Sequence, residues 1–250
     1  MRHYGIMAFA VGATTNAFFC APAFADLPLP EGVTGELSAN VGVFTDYSFR
    51  GISQTNRRGA LQGGLDYRTP PGEDVNLYMG FWASNVDFND SDEADVETDY
   101  YVGGDYHTGN FTYSAGAIYY GYPGASRDVD YDYIEMQGSL GYDLPRASVK
   151  ASFNYSPEYF GGSGHAEYYR VGASVPLTFL SVEGFSADGH IGRQNIADAP
   201  SYAEWALGLG YEWKEYLFKL EYVDTDLSKA ECGSGTLCAP RLVGSAVRTF

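Results

Sequence analysis

Residues 147–156 carry the sequence Ala-Ser-Val-Lys-Ala-Ser-Phe-Asn-Tyr-Ser. Apolar and polar side chains alternate along this stretch, with Val149, Ala151 and Phe153 on one side and Lys150 and Asn154 on the other. Successive side chains of a β-strand point to opposite faces, so this pattern predicts a strand with one apolar and one polar face. A lysine on the polar face would be costly in a sealed core, which favours a face in contact with water.

The same period of two recurs along nearly the whole chain and predicts about twelve strands. The apolar faces fall within residues 37–49, 61–67, 75–83, 98–106, 111–119, 134–142, 147–155, 169–177, 180–191, 203–213, 216–222 and 241–250. Two of these segments are irregular. Between Leu180 and Gly192 the apolar phase changes at Gly184, which predicts a bulged strand. The last segment places Gly244 and Arg248 on its apolar face.

The predicted connections alternate between long and short. Long ones are expected at Gly51–Gly59, Asp87–Val96, Pro123–Asp130, Pro157–Glu167, Arg193–Tyr202 and Asp224–Pro240, and short ones at Thr69–Asp74, His107–Asn110, Asp143–Arg146, Thr178–Phe179 and Lys214–Glu215. Bacterial outer-membrane barrels have an even number of strands, short periplasmic turns and longer external loops. We therefore predict an all-β fold, a transmembrane antiparallel up-and-down barrel over residues 37–250, in contact with outer-membrane lipid and with both termini in the periplasm.

Aromatic residues make up 16% of the chain, including 22 Tyr, and glycine is also abundant at 31 residues. Rings crowd the predicted strand ends, at Tyr47 and Phe49, Tyr119–Tyr122, Tyr155–Phe160 and Tyr211–Tyr216. Such crowding is typical of the aromatic girdles at the two membrane interfaces. A soluble periplasmic barrel or sandwich is the competing interpretation. The girdles, the charged polar face and the final strand ending on Phe250, which we expect to engage the barrel assembly machinery, favour the membrane.

The N-terminus has the features of an export signal. A basic head with Arg2 precedes the uncharged apolar stretch Ile6–Phe19, and Ala23-Phe24-Ala25 places small residues before Asp26. This pattern predicts a signal peptide over residues 1–25, a short periplasmic segment over residues 26–36 and export to the cell outer membrane.

The chain carries 32 acidic and 15 basic residues, a formal net charge of −17. This charge argues against a nucleic-acid partner, because such binding requires Lys and Arg to neutralise phosphates. Cys232 and Cys238 would reach an oxidising compartment and are predicted to form a disulfide. No histidine stands near them, so a metal site is disfavoured.

Several segments resemble the TorF-type porins of Proteobacteria, a family of conserved proteins mostly of unknown function. They include Tyr-Ser-Phe-Arg-Gly-Ile-Ser-Gln at 47–54, Phe-Trp-Ala-Ser-Asn-Val-Asp-Phe at 81–88, Asp-Tyr-Asp-Tyr-Ile-Glu at 130–135 and Tyr-Ser-Pro-Glu-Tyr-Phe-Gly-Gly at 155–162. The resemblance extends over nearly the whole chain after residue 38. It implies an outer-membrane channel, with neither an assigned substrate nor catalytic residues.

The polar face of the barrel supplies the candidate site. The pore-lining candidates are Asp46, Arg50, Asp66, Arg68, Asp99, Asp105, Glu135, Lys150, Arg170, Glu204, Glu212, Lys219 and Glu221; with Glu97, Glu183 and Asp188 the acids outnumber the bases by eleven to five. Carboxylates that line a pore favour cations. The sequence therefore predicts a porin for passive diffusion of small solutes or ions, with a weak cation preference. The alternative is a non-conducting barrel with a structural or adhesive role, in which the same charges pair across the interior and fill it.

No catalytic set, cofactor site or metal site is predicted. The stretch Gly161-Gly162-Ser163-Gly164-His165 has a histidine where a nucleophile elbow requires glycine. It favours a flexible loop, so we expect the chain not to be an enzyme.

Overall fold

A computed structural model describes residues 29, 34–70, 74–88, 94–178, 183–232 and 235–250. Twelve strands form the barrel: β1 (Glu36–Phe44), β4 (Ala60–Arg68), β5 (Val75–Asn85), β6 (Val96–Thr108), β7 (Phe111–Gly121), β8 (Tyr133–Leu144), β9 (Ala147–Ser156), β10 (Ala166–Pro176), β11 (Phe185–Ile196), β12 (Tyr202–Trp213), β13 (Tyr216–Thr225) and β14 (Arg241–Thr249). A two-stranded hairpin, β2 (Ser48–Phe49) and β3 (Ile52–Ser53), follows β1. Short 3-10 turns lie at Arg127–Val129 and Phe160–Gly162.

The barrel is closed by antiparallel pairing of its first and last strands. β1 pairs with β4 on one side and with β14 on the other, where Asn40 faces Thr249 and Phe44 faces Ser245. The backbones of Ala39 and Phe250 extend this ladder through two hydrogen bonds of 3.1 and 2.8 Å. Closure satisfies the backbone of every strand, as the membrane interior requires. The predicted fold is confirmed. No helix in the described part of the chain is long and apolar enough to cross a membrane.

The outer face is a continuous band of exposed apolar side chains. Leu61, Ile191, Leu207 and Leu242 are each at least 60% exposed, and all lie on the predicted apolar faces. A soluble protein rarely leaves so large an apolar surface uncovered. The band is therefore the lipid-facing surface, the protein belongs in the outer membrane, and the soluble alternative is wrong.

Four predictions about individual segments or residues are wrong. β1 ends at Phe44, and the chain then leaves the wall instead of continuing to Phe49. β11 begins at Phe185 and pairs with both neighbours without a bulge; the phase change comes from Gly184, a turn residue with φ of +89°. Glu183 lies exposed in the same turn and not in the interior. The loop predicted at Arg193–Tyr202 is also too long, because β11 continues to Ile196.

Other predictions fall partly or wholly outside the described residues. The predicted signal peptide at residues 1–25 lies outside the described residues, and so does most of the predicted periplasmic segment at 26–36. The last residue of that segment already belongs to β1. The start of the strand predicted from Leu180 also lies outside the described residues.

Arg248 is exposed on the outer face, as predicted. Its guanidinium carbon lies 4.3 Å from the centre of the Phe250 ring and 5.6 Å from that of Tyr216, so cation–π contact holds the charge at the end of the strand.

Candidate functional site: a charged lumen closed by an inward segment

The barrel interior contains the charged side chains that the sequence placed there. Eleven of the thirteen pore-lining candidates lie on barrel strands, on the face opposite the lipid: Asp66, Arg68, Asp99, Asp105, Glu135, Lys150, Arg170, Glu204, Glu212, Lys219 and Glu221. Asp46 and Arg50 are also inside, but on residues 46–58, which we call the plug. Their predicted position on the first strand is wrong, because the chain turns inward after Thr45. The role of these residues in lining a conducting path stays a prediction.

The plug enters the lumen as a tight hairpin. Ser48 pairs with Ser53 and Phe49 with Ile52, while Arg50 and Gly51 form the tip with φ values of +47° and +82°. Glycine is required at position 51 because a Cβ there would lie 2.4 Å from Cγ2 of Thr225 on β13. The left-handed turn therefore brings the tip against the inner wall.

Arg50 fastens the tip to strands on the other side of the barrel. One of its Nη atoms donates to Oε1 of Gln194 at 2.6 Å, and the other donates to Oε2 of Glu135 at 2.7 Å. The rings of Phe49 and Tyr168 lie 4.7 and 4.2 Å from the guanidinium carbon. The side chains of Arg50 and Glu135 are 5% and 1% exposed, so the ion pair is shielded from water. We call Arg50, together with Gln194, Glu135, Phe49 and Tyr168, the Arg50 latch.

Arg241 at the start of β14 anchors both the base and the tip of the plug. Its Nε atom pairs with Asp46, and its two Nη atoms donate to the carbonyl oxygen of Gly51 and to Oγ of Ser48, both at 2.9 Å. Asp46 also accepts from Oγ of Ser53 at 2.6 Å. Arg241 is a lumen residue that was not among the predicted pore-lining candidates. Arg241 directly precedes lipid-facing Leu242. Because neighbouring residues of a strand face opposite sides, the sequence pattern already indicated that Arg241 points into the lumen.

Aromatic side chains fill the long-loop half of the lumen around the plug. Tyr47 donates to Oε1 of Glu97 at 3.1 Å and packs edge-on against Trp82, with ring centres 5.4 Å apart. Tyr120 stacks on Tyr133 at 4.3 Å. In the loop after β9, burial raises the pKa of Tyr159 to about 12, while nearby Arg50 lowers it.

Several of these rings were predicted to lie in the aromatic girdles at the membrane interfaces, and that prediction is wrong. Tyr47, Tyr120, Tyr122 and Tyr159 are at most 9% exposed, and Phe49 packs against the same interior cluster. They belong to the lumen and not to the membrane interface. Tyr119 and Trp213, at 42% and 50% exposed, do face outward as predicted.

Glycines on the wall form sockets for interior tyrosines. A Cβ at Gly80 would lie 2.4 Å from the Tyr101 ring, one at Gly103 would lie 2.3 Å from the hydroxyl of Tyr78, and one at Gly192 would lie 2.5 Å from that of Tyr168. Real Cβ atoms do not approach other atoms so closely. The absence of a side chain thus lets these rings lie flat against the wall, which explains part of the glycine content.

Ion pairs and hydrogen bonds connect most of the remaining lumen charges. Arg68 pairs with Asp105 at 2.6 Å, and Lys219 pairs with Asp188 and Glu221 at 2.9 and 2.7 Å. On the neighbouring wall, Glu204 accepts from Tyr168 at 2.6 Å and lies 2.9 Å from Nε2 of His190, whose Nδ1 is 3.0 Å from Arg170. With Glu183 removed and Arg241 added, acids still exceed bases in the lumen set, by ten to six.

The short-turn half of the lumen is less tightly filled. A recess that opens to the lumen and has enclosed room for about one water molecule lies against β7, β8 and β9. It is lined by Thr112, Ser114, Ser139, Gly141, Ser148, Val149 and Lys150. Hydroxyl groups and one ammonium group thus face the open space.

The predicted disulfide between Cys232 and Cys238 is confirmed, with Cα atoms 5.9 Å apart. The loop that it closes contacts the plug directly. The backbone N–H of Ser53 donates to the carbonyl oxygen of Leu237 at 2.9 Å, and Arg57 reaches the carbonyl oxygen of Thr236 at 3.4 Å. The disulfide therefore braces the loop that holds the plug from outside.

The loop that resembled a weak nucleophile motif has no catalytic geometry. Oγ of Ser163 donates to the carbonyl oxygen of Phe160 at 2.8 Å and not to an imidazole. Among the described residues no group of three or more His, Cys, Asp or Glu side chains is arranged to hold a metal ion. The expectation that the chain is not an enzyme stays a prediction.

Comparisons with known proteins agree with this architecture. The structure is similar to the COG4313 outer membrane channel from Pseudomonas putida F1, with a TM-score of 0.55 and 10% identity over 89% of this chain and 97% of that one. It is also similar to KdgM porin, with a TM-score of 0.55 and 7% identity over 85% of this chain and 99% of that one. At such low identity the similarity establishes the fold alone. No curated protein sequence matches the chain.

A family comparison identifies the chain itself. One family profile matches residues 31–249, which include all the barrel strands. Its description does not carry the TorF name, so that name is not confirmed. The chain belongs to Gcw_chp, a family of bacterial proteins of unknown function.

Proposed function

We propose that the protein is an outer-membrane channel for passive diffusion of small solutes or ions, with a weak preference for cations, and that the plug closes its lumen in the state described above. The observation that carries this proposal is the construction of the plug. Side chains make its contacts with the barrel strands, through the Arg50 latch and Arg241. A segment held in this way can leave the lumen without breaking the hydrogen-bond ladder of the wall.

The charges of the lumen support the cation preference. The acids exceed the bases by ten to six, and the surplus lies inside a barrel whose outer face is apolar. Carboxylates that line a pore attract cations and repel anions. Several acids are paired with bases, such as Asp105 with Arg68 and Asp188 with Lys219, which reduces the net field. The expected preference is therefore weak.

A non-conducting barrel with a structural or adhesive role is the second candidate, and the filled half of the lumen favours it. Asp99, Glu135 and Gln194 are at most 1% exposed, so water does not reach them while the plug is in place. In this alternative the plug never leaves. The two candidates differ in one measurable property, the passage of ions.

Single-channel recording in planar lipid bilayers under a salt gradient tests the proposal. The refolded protein is expected to show intermittent openings, with a reversal potential of the sign given by cation permeation. Asp66→Asn removes one lumen carboxylate and should move the reversal potential toward zero, whereas Asp128→Asn, in the turn at Arg127–Val129, should leave it unchanged. Folded, heat-modifiable protein that conducts no current would contradict the proposal and support the non-conducting barrel.

A further inference from the structure

Lys150 occupies an unusual position among the lumen cations. It lies on β9, directly opposite Gly141 on β8 and Gly172 on β10. Neither neighbour has a side chain, so the lysine extends between two gaps in the wall. Ser148 lies two residues away on the same strand and the same face, and Ser139 lies diagonally across on β8.

The other lumen cations have polar partners close by. Arg50, Arg68, Lys219 and Arg241 each form an ion pair with a carboxylate, and Arg170 contacts the ring of His190. The side chain of Lys150 forms neither an ion pair nor a hydrogen bond within the part of the chain that the structure describes.

Asp105 is close enough to attract Lys150, but both of its carboxylate oxygens are already engaged. Oδ2 pairs with Arg68 at 2.6 Å, and Oδ1 accepts from Ser114 at 2.7 Å. Arg170, the cation on the adjacent strand, adds a second positive charge to this wall. Lys150 thus lies beside a second cation and an acid that is already paired.

The recess beside Lys150 is lined by groups that can bind a small anion. Hydroxyl groups of Thr112, Ser114, Ser139 and Ser148 border it together with the lysine, and it opens to the solvent of the lumen. The side chains of Ser139 and Ser148 make no hydrogen bond to another residue in the described ranges, so their O–H groups are available as donors. Gly141 keeps the space open, since a Cβ there would lie in ordinary contact with Thr112 at 3.6 Å and would project into it.

We propose that Lys150 and the hydroxyl groups of Ser139 and Ser148 form a binding site for a small oxyanion, the carboxylate or phosphate group of a solute that enters from the short-turn end. Lysine supplies a point charge suited to phosphate or carboxylate, and hydroxyl groups supply the directional donors. The site lies on the proposed diffusion path but on the near side of the plug. Binding therefore does not require the plug to move and is independent of whether the protein conducts.

Solution NMR of the labelled, refolded protein in detergent micelles tests this site. Backbone amide shifts are followed while inorganic phosphate replaces chloride at constant ionic strength, with acetate in a second series. Saturable shifts confined to residues 139–141 and 148–152 are expected with at least one of the two anions. A response to acetate alone assigns a carboxylate site, and a response to phosphate alone assigns a phosphate site.

The variants separate the site from nonspecific attraction. Lys150→Gln should weaken the apparent affinity about tenfold, the effect of losing one charge-assisted hydrogen bond. Lys150→Arg, which keeps the charge, should restore most of it, and Lys229→Gln, a control at an exposed position before Cys232, should leave it unchanged. Dispersed spectra and heat modifiability establish that each variant is folded. Equal titrations of Lys150→Gln and the wild type, or no saturable shifts on β8 and β9, would overturn the inference. Neither result depends on bilayer conductance.

Discussion

Replacing Arg50 by methionine should release the plug and raise the open fraction of the channel. The arginine is the only residue of the plug tip that forms an ion pair with a far strand in the described ranges, through Glu135 at 2.7 Å. Methionine keeps an apolar side chain of similar length between the rings of Phe49 and Tyr168. The substitution therefore removes the charge and the two hydrogen bonds while retaining much of the packing.

The magnitude follows from the burial of the pair. Removing one partner of a buried ion pair costs about 3–5 kcal/mol, because the remaining charge is left uncompensated. Glu135 keeps donors in Tyr120 and Asn154, each at 3.2 Å, so we take the lower value, about 3 kcal/mol. The penalty applies to the closed state, since water can hydrate Glu135 once the plug has left. At about 1.4 kcal/mol per factor of ten, the closed-to-open equilibrium shifts about 100-fold toward open.

Single-channel recording measures this shift directly as the fraction of time spent open. Arg58→Met is the matched control, because Arg58 also belongs to the plug but pairs with Asp87 at 3.2 Å while 74% exposed. An exposed pair of this kind contributes little, so the control should behave as the wild type. The reasoning about the latch is refuted if folded Arg50→Met and Arg58→Met proteins show the same open fraction.

Two further predictions concern the brace and the outer wall. Replacing both Cys232 and Cys238 by serine should raise the open fraction by less than Arg50→Met does, because it loosens the loop whose Leu237 carbonyl oxygen accepts from the N–H of Ser53. An open fraction equal to that of the wild type would show that the disulfide does not brace the plug. Leu207→Arg places a charge near the middle of the lipid-facing side of β12, where Leu207 is 67% exposed. It should lower the free energy of unfolding by about 2–4 kcal/mol, measured by urea unfolding in lipid vesicles. A loss of stability no larger than that of Leu207→Ala would contradict lipid contact at this position.

The barrel itself could be predicted from the sequence because it follows from a local rule. Alternation along a strand fixes which side chains meet lipid, and exposed Leu61, Leu207 and Leu242 all obey it. The same rule places Asp66, Asp105 and Lys150 in the lumen without any knowledge of their partners. Arg241 would have been found by applying the rule to the last strand as strictly as to the others.

The plug could not be predicted in this way, because long-range contacts determine it. Thr45, Tyr47 and Phe49 continue the alternation of β1, so nothing local indicates that the chain leaves the wall after Phe44. Its inward path depends on contacts such as that of Arg50 with Gln194, 144 residues apart. A phase change like that at Gly184 is equally ambiguous locally, since a bulge and a turn both reverse the faces. Pairing with the neighbouring strands decides between them.

The glycine sockets also impose an order on the way this lumen can evolve. An alanine at Gly80 collides with the ring of Tyr101, directly opposite on the next strand, and the three atoms nearest to its Cβ all belong to that tyrosine, so the two positions change as a unit. A lineage that first shortens the tyrosine acquires both a wider bore and a glycine that is free to vary. A lineage that mutates the glycine first must displace a buried ring before any benefit appears. The width of the passage can thus be adjusted one aromatic ring at a time, and the tyrosine has to change first.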